Sequence, residues 1–276
     1  MIRALIIALV IGTVLILLLK VAVSRLEPAM VFFPLRGEDH TPASLGIRYT
    51  ALKLRTADGV QIAAWQLEPE APKADIVYFH GNGGNLSLWL PVLAAFHSFG
   101  YRVLAIDYRG YGSSDGSPSE RGLMLDAEAA VRHATGAASG AERRKTARPV
   151  IYWGRSLGGP VAAAAARVIA PDALVLESTF PDKVSVIRWN PVFRALNLFS
   201  SYRFDTVGTL RGFQKPVLVV HGDSDTIVPY GLGKELFERL DAPKQLVTLR
   251  GADHNDLFDA RNEAYWTPLC AFIDAL

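Results

Sequence analysis

Short, nearly unbroken apolar runs recur along this chain. They fall at Ile76–Phe79, Arg102–Ile106, Val150–Trp153, Leu174–Leu176 and Val217–Val220, and Leu246–Leu249 reads as one more strand. A strand with one wet face alternates apolar and polar residues, whereas a run without alternation predicts a strand buried on both faces. Between these runs the pattern turns helical, over Leu86–Phe99, around Leu123–His133, and over Ala162–Ile169, Leu232–Leu240 and Tyr265–Leu276. Buried strands alternating with helices predict an α/β architecture, a mostly parallel sheet covered on both faces. Ahead of them, Ile47–Thr56 and Val60–Leu67 are extended runs separated by Ala57-Asp58-Gly59, which predicts a hairpin. No internal repeat or low-complexity linker occurs after residue 46, so residues 47–276 are read as one domain.

The N-terminus has a different pattern. Residues 4–19 carry no charge, and Thr13 is their only polar side chain. If Lys20 snorkels, the apolar stretch runs on through Val23 and reaches the roughly 20 residues that span a bilayer. Ala22-Val23-Ser24 is a tolerable cleavage site, but Lys20 is badly placed for a signal peptide. Residues 1–23 are therefore read as an uncleaved transmembrane anchor. The short leader and the basic residues after it (Lys20, Arg25 and Arg36) favour a cytoplasmic C-terminal domain. Residues 24–46 hold Pro28, Pro34 and Pro42 and read as a linker, in which Phe32 and Phe33 either touch the membrane interface or pack on the domain.

Composition narrows the classes further. The 276 residues are enough for one domain with a full core. A net charge of +2 implies no broad nucleic-acid-binding surface. The basic cluster Arg143-Arg144-Lys145 with Arg148 lies between a helix and a strand and reads as a solvated connection. A single cysteine, Cys270, excludes an internal disulfide and a cysteine-based zinc cluster. No His-Glu-x-x-His or similar metal-ligand spacing occurs, and the glycine-rich stretch at 81–84 lacks the Gly-Lys-Ser/Thr of a nucleotide loop. No cofactor is expected. Nothing in the chain specifies an oligomeric state.

In open α/β sheets the chemistry collects beyond the carboxyl ends of the strands. Four such ends are chemically loaded here: His80-Gly81-Asn82-Gly83-Gly84-Asn85, Gly154-Arg155-Ser156-Leu157-Gly158, His221-Gly222-Asp223-Ser224-Asp225, and Gly251-Ala252-Asp253-His254. The second is a Gly-x-Ser-x-Gly motif between a strand and an Ala-rich helix, which is the sequence form of a nucleophile elbow. Its turn exposes Ser156 at a helix start, where the Leu157 N–H can face a developing oxyanion. A second Gly-x-Ser-x-Gly, Gly112–Gly116 with Ser114 at its centre, sits in a polar loop and lacks that context. A serine hydroxyl needs a base, and a histidine base needs a carboxylate to hold its tautomer. Ser156, Asp225 and His254 occur in the chain order this architecture uses. Asp223 and, less well, Glu177 compete for the acid position. His80 and His221 precede glycines at strand ends and read as structural, bonding nearby backbone.

These motifs resemble those of α/β-hydrolases over roughly residues 47–276. Within that superfamily the chain resembles a branch of small, N-terminally anchored serine hydrolases with a His-Gly-Asn oxyanion motif, a branch that includes protein depalmitoylases. The resemblance implies Ser156 as nucleophile, His254 as general base and Asp225 as acid. It also implies the backbone N–H groups of Asn82 and Leu157 as oxyanion donors. A haloalkane or epoxide hydrolase of this fold would carry Asp where Ser156 stands. The apolar insertion at about 179–212 reads as a short cap, either lining an acyl pocket or simply packed on the core. Together with an anchor, it points to esters or thioesters of hydrophobic acyl groups, on small molecules or on protein. A peptidase of the same fold would use the same triad, and a non-catalytic membrane-tethered module is the alternative outside enzymes.

Overall fold

The computed structural model describes residues 1–137, 148–189, 202–256 and 262–276. The basic cluster at 143–145 and the middle of the 179–212 insertion fall outside these residues.

The apolar N-terminus is a single helix, α1, spanning Ile2–Val31. A 25-residue stretch within it, Leu5–Ala29, is long and apolar enough to cross a membrane. The helix thus runs eight residues past Val23, into the stretch read as a linker. The residues after the helix are not a free tether either. Phe33–Pro34 (β1) pairs in parallel with Gly83–Gly84 (β5), the glycine-rich loop after the first buried strand. Phe32 packs on the domain, edge-on to Tyr202 and Phe204 at 5.6 and 6.3 Å, while Phe33 is exposed.

The hairpin forms as expected, with Tyr49–Arg55 (β2) antiparallel to Gln61–Leu67 (β3). Gly59 in its turn has φ +88°, a backbone state that favours glycine. The apolar runs become Ala74–Phe79 (β4), Tyr101–Ile106 (β6), Val150–Arg155 (β7), Ala173–Glu177 (β8), Val217–Gly222 (β9) and Lys244–Leu249 (β10). Together with β2 and β3 they form an eight-stranded sheet ordered β10-β9-β8-β7-β4-β6-β3-β2. All neighbours from β10 to β6 are parallel, and β2 and β3 close the sheet as an antiparallel edge.

The lack of alternation in the central runs has a direct cause. Val77 and Phe79 face one apolar cluster, and Ile76 and Tyr78 face the other. Val150/Tyr152 against Ile151/Trp153, and Val217/Val219 against Leu218/Val220, divide in the same way. On one face lie Leu86–Ser98 (α2) and Glu263–Asp274 (α8). On the other lie Glu120–Thr135 (α3), Gly158–Val168 (α4) and Tyr230–Arg239 (α7). The short helices Lys183–Trp189 (α5) and Thr206–Thr209 (α6) belong to the insertion. Within it Val184 is exposed, and Val186 and Ile187 are half-buried.

Candidate active site

The site lies where β4, β7, β9 and β10 end. At the end of β7, Ser156 takes φ +52°, a left-handed state that costs a non-glycine residue free energy. The surroundings hold it there. Its N–H donates to Glu177 O at 2.9 Å, and its carbonyl accepts from Gly159 N–H and from Thr179 Oγ1 at 2.7 Å. A Cβ on Gly154 would fall 2.2 Å from Gly158 O, and one on Gly158 would fall 2.0 Å from Phe79 O. The two motif glycines therefore let helix α4 start directly against β7 and β4. That start aims the N-terminal end of α4 at the serine, where a helix favours negative charge.

The end of β4 supplies the facing wall. Gly81 lies against Ser156, since a Cβ placed on it would be 3.7 Å from the serine Cβ. Tyr111 Oη bonds the Asn82 carbonyl at 2.9 Å and the Asn82 side chain at 3.0 Å. Neither the Asn82 N–H nor the Leu157 N–H donates to another described group outside helices and strands. Beneath the loop, His80 Nδ1 bonds Gly81 O at 2.6 Å, and Tyr108 Oη donates to His80 O. His80 Nε2 stands 3.6 Å from Asp107 Oδ1, which accepts from Leu86 N–H. Burial pushes the Asp107 carboxyl up to about 7, partly offset by the Leu86 N–H. Burial likewise lowers His80 to about 4, partly offset by its bond to Gly81. Each group is thus biased toward its neutral form.

The ends of β9 and β10 bring Asp225 and His254 together. His254 Nδ1 bonds Asp225 Oδ2 at 2.7 Å, with both side chains buried. The approach depends on Gly222, where a Cβ would fall 2.2 Å from Ala252 O. Burial opposes ionisation of Asp225, but hydrogen bonds from His221, His254 and Val228 N–H outweigh it. They hold the carboxyl well below the usual carboxylate range. Asp223, the competing acid, is exposed and accepts from Gly251 N–H at 2.6 Å, so it stitches the two loops rather than facing the imidazole. Asp253 does the same from the other side, accepting from Thr226 N–H at 2.7 Å.

Ser156 is not hydrogen-bonded to His254 among the described residues. Catalytic contacts of this kind are often long in free enzymes and tighten with substrate bound. Ser114 is buried, accepts from Ala63 N–H and donates to Asp107 O, both at 2.7 Å, as a structural serine does. His221 Nε2 bonds Val228 O at 2.8 Å, the backbone role expected of it. The same nitrogen also lies 3.3 Å from Asp225 Oδ2.

One residue was not singled out by the sequence. Arg155, buried beside Ser156, forms an ion pair with Glu177 and donates to the carbonyl of His254. Arg155 and Glu177 are register partners on β7 and β8. Glu177 also accepts from Trp153 Nε1 at 2.7 Å and Tyr265 Oη at 2.8 Å. It is thereby committed to a structural network with Arg155, Trp153 and Tyr265. The available signal was an arginine at the end of a strand otherwise buried on both faces, a position where charge survives only if paired.

The order of this sheet and its helices is that of a known class of proteins, and comparison with known proteins gives the class. Residues 76–209 match the family described as alpha/beta hydrolase fold, and the chain belongs to it. It is 30% identical to an uncharacterized membrane protein of Saccharomyces cerevisiae, over 86% of this chain and 84% of that one. It is also 30% identical to a lysophosphatidylserine lipase of Danio rerio, over 74% of this chain and 62% of the lipase. An esterase of Pyrococcus furiosus shares the fold, with TM-score 0.70 at 21% identity, over 89% of this chain and 98% of that one. The apolar N-terminal helix and the yeast membrane relative together suggest a single-pass membrane anchor.

Proposed function

We propose that this protein is a serine hydrolase that cleaves carboxylic ester or thioester bonds of hydrophobic acyl substrates through an acyl-enzyme. The observation that carries the reading is the buried 2.7 Å Asp225–His254 contact in the same strand-end cluster as Ser156, with Ser156 strained at φ +52°. In this reading His254 Nε2 takes the Ser156 proton as Oγ attacks the acyl carbonyl. The negative charge that forms on the carbonyl oxygen is met by the N–H groups of Asn82 and Leu157. His254 then gives the proton to the leaving alcohol or thiol, and the acyl group stays on Ser156. Water, deprotonated by His254, attacks the acyl-enzyme, and the acid leaves as Ser156 recovers its proton. Asp225 stays ionised throughout and stabilises the imidazolium. The N-terminal anchor and the apolar insertion support a hydrophobic acyl group, and the Danio rerio relative is by name a lipase.

The test is labelling of the full chain with a fluorophosphonate, with mass-spectrometric identification of the modified residue. The expected result is modification of Ser156, complete loss of labelling and ester turnover in Ser156→Ala, and an unchanged unfolding midpoint in that variant. Modification of any other serine, or turnover surviving in Ser156→Ala, overturns the reading.

A further inference from the structure

The loop that carries Asn82 has little with which to hold itself in place. Gly81, Gly83 and Gly84 surround Asn82, and glycine leaves the backbone free to take many conformations. An oxyanion donor contributes to rate only if it is already aimed when charge develops. The contacts that fix this loop are therefore informative, and many of them come from one short segment, the chain that leaves α1.

The Asn82 side-chain amide donates to the carbonyl of Val31, the last residue of the helix. Phe33 and Pro34 run in parallel register with Gly83 and Gly84, and Leu35 N–H donates to Gly84 O at 2.9 Å. Asn85 Nδ2 donates to Gly37 O at 2.8 Å. The other edge of the segment is fixed as well. Gly112 N–H donates to Leu35 O at 2.8 Å, Gly37 N–H donates to Gly112 O at 3.1 Å, and the Arg36 guanidinium donates to Ser114 O and Gly116 O. Residues 31–37 thus form a wedge between the Asn82 loop and the 110–116 loop. From the second loop, Tyr111 bonds back to Asn82. The segment is itself pinned, because Phe32 is buried against Tyr202 and Phe204 and Glu27 is buried in the last turns of α1.

We propose that residues 31–37, where the anchor helix meets the domain, together with Tyr111, position the Asn82 N–H for the oxyanion. The end of the anchor then belongs to the catalytic apparatus as well as to the tether. This rests on the serine-hydrolase reading above. In this inference the groups act through the placement of Asn82.

The experiment uses the full chain in detergent micelles, a p-nitrophenyl acyl ester and three variants. Leu35→Pro removes the N–H that reaches Gly84 O while changing only an exposed side chain. Asn82→Ala keeps the backbone N–H but frees the loop from Val31. Tyr111→Phe keeps the ring and removes the bonds to Asn82, so it stays informative if either other variant fails to fold. The expected result is kcat lowered about tenfold or more, with KM within about twofold of the wild type. Affinity for a trifluoromethyl ketone, which forms a tetrahedral adduct, should fall by the same factor as kcat/KM. Folded variants whose kcat stays within about twofold of wild type overturn the proposal, as does a loss confined to KM. A wild-type chain that turns over esters without labelling at Ser156 overturns the site reading itself, and this inference with it.

Discussion

At the scale of single residues, environment decides between candidates of the same chemical type. Asp223 and Asp225 are two positions apart at the same strand end. Only Asp225 is buried and bonded to an imidazole, while Asp223 is exposed and accepts a backbone N–H. Asp225→Asn is expected to lower kcat by about 10⁴, because the amide no longer holds the imidazole tautomer or stabilises its charged form. Asp223→Asn is expected to stay within about tenfold. Steady-state kinetics on one ester separates the two, and equal losses contradict the assignment. Ser114 and Ser156 form a similar pair. Both lie in Gly-x-Ser-x-Gly, yet one has its hydroxyl bonded on both sides inside the protein and the other stands at a helix start.

At the scale of elements, the turn at Ser156 is held because strands, helix and loops lock each other. Strand β7 ends in Arg155, whose charge is neutralised by Glu177 on β8 and whose other arm reaches the His254 carbonyl. Arg155 lies over the Trp89 ring at 5.2 Å, so α2 closes the same cluster. Removing one member of a buried pair leaves an uncompensated charge, whereas removing both leaves only lost packing. Arg155→Met is expected to lower unfolding free energy by about 3–5 kcal/mol and to reduce kcat by loosening the His254 loop. Arg155→Met combined with Glu177→Gln should recover part of that stability, as chemical denaturation would show. A single variant as stable as the wild type would mean that Arg155 carries no structural role.

At the scale of the molecule, the N-terminal helix and the Asn82 loop form one continuous structure. Helix α1 leads into β1, and β1 pairs with the loop that carries Asn82. A cleaved leader would break the chain at Ala22-Val23-Ser24, within the helix and ahead of Glu27. The full-length protein is therefore expected to stay in the membrane pellet after alkaline carbonate extraction. Release of a shortened chain into the supernatant would contradict anchoring by α1.

Much of this protein could be read from its sequence because the determining physics is local. Buried runs without alternation mark strands covered on both faces, and glycines flanking a serine mark a turn whose neighbours leave no room for a Cβ. An unbroken apolar stretch marks a helix suited to lipid. From these came the α/β sheet, the strand–turn–helix around Ser156 and the long apolar N-terminal helix. Other features were decided only in three dimensions, because they join residues far apart in the chain. The different surroundings of Asp225 and Asp223, one buried against His254 and the other exposed on Gly251 N–H, come from the approach of the His254 loop through Gly222. Glu177 was assigned to Arg155 by strand register. The stretch after Val23 contains prolines and reads locally as a linker. Its place in the fold comes from hydrogen bonds with the Asn82 side chain and with the backbone of Gly84 and Gly112, groups some 50 to 80 residues away that no local pattern encodes.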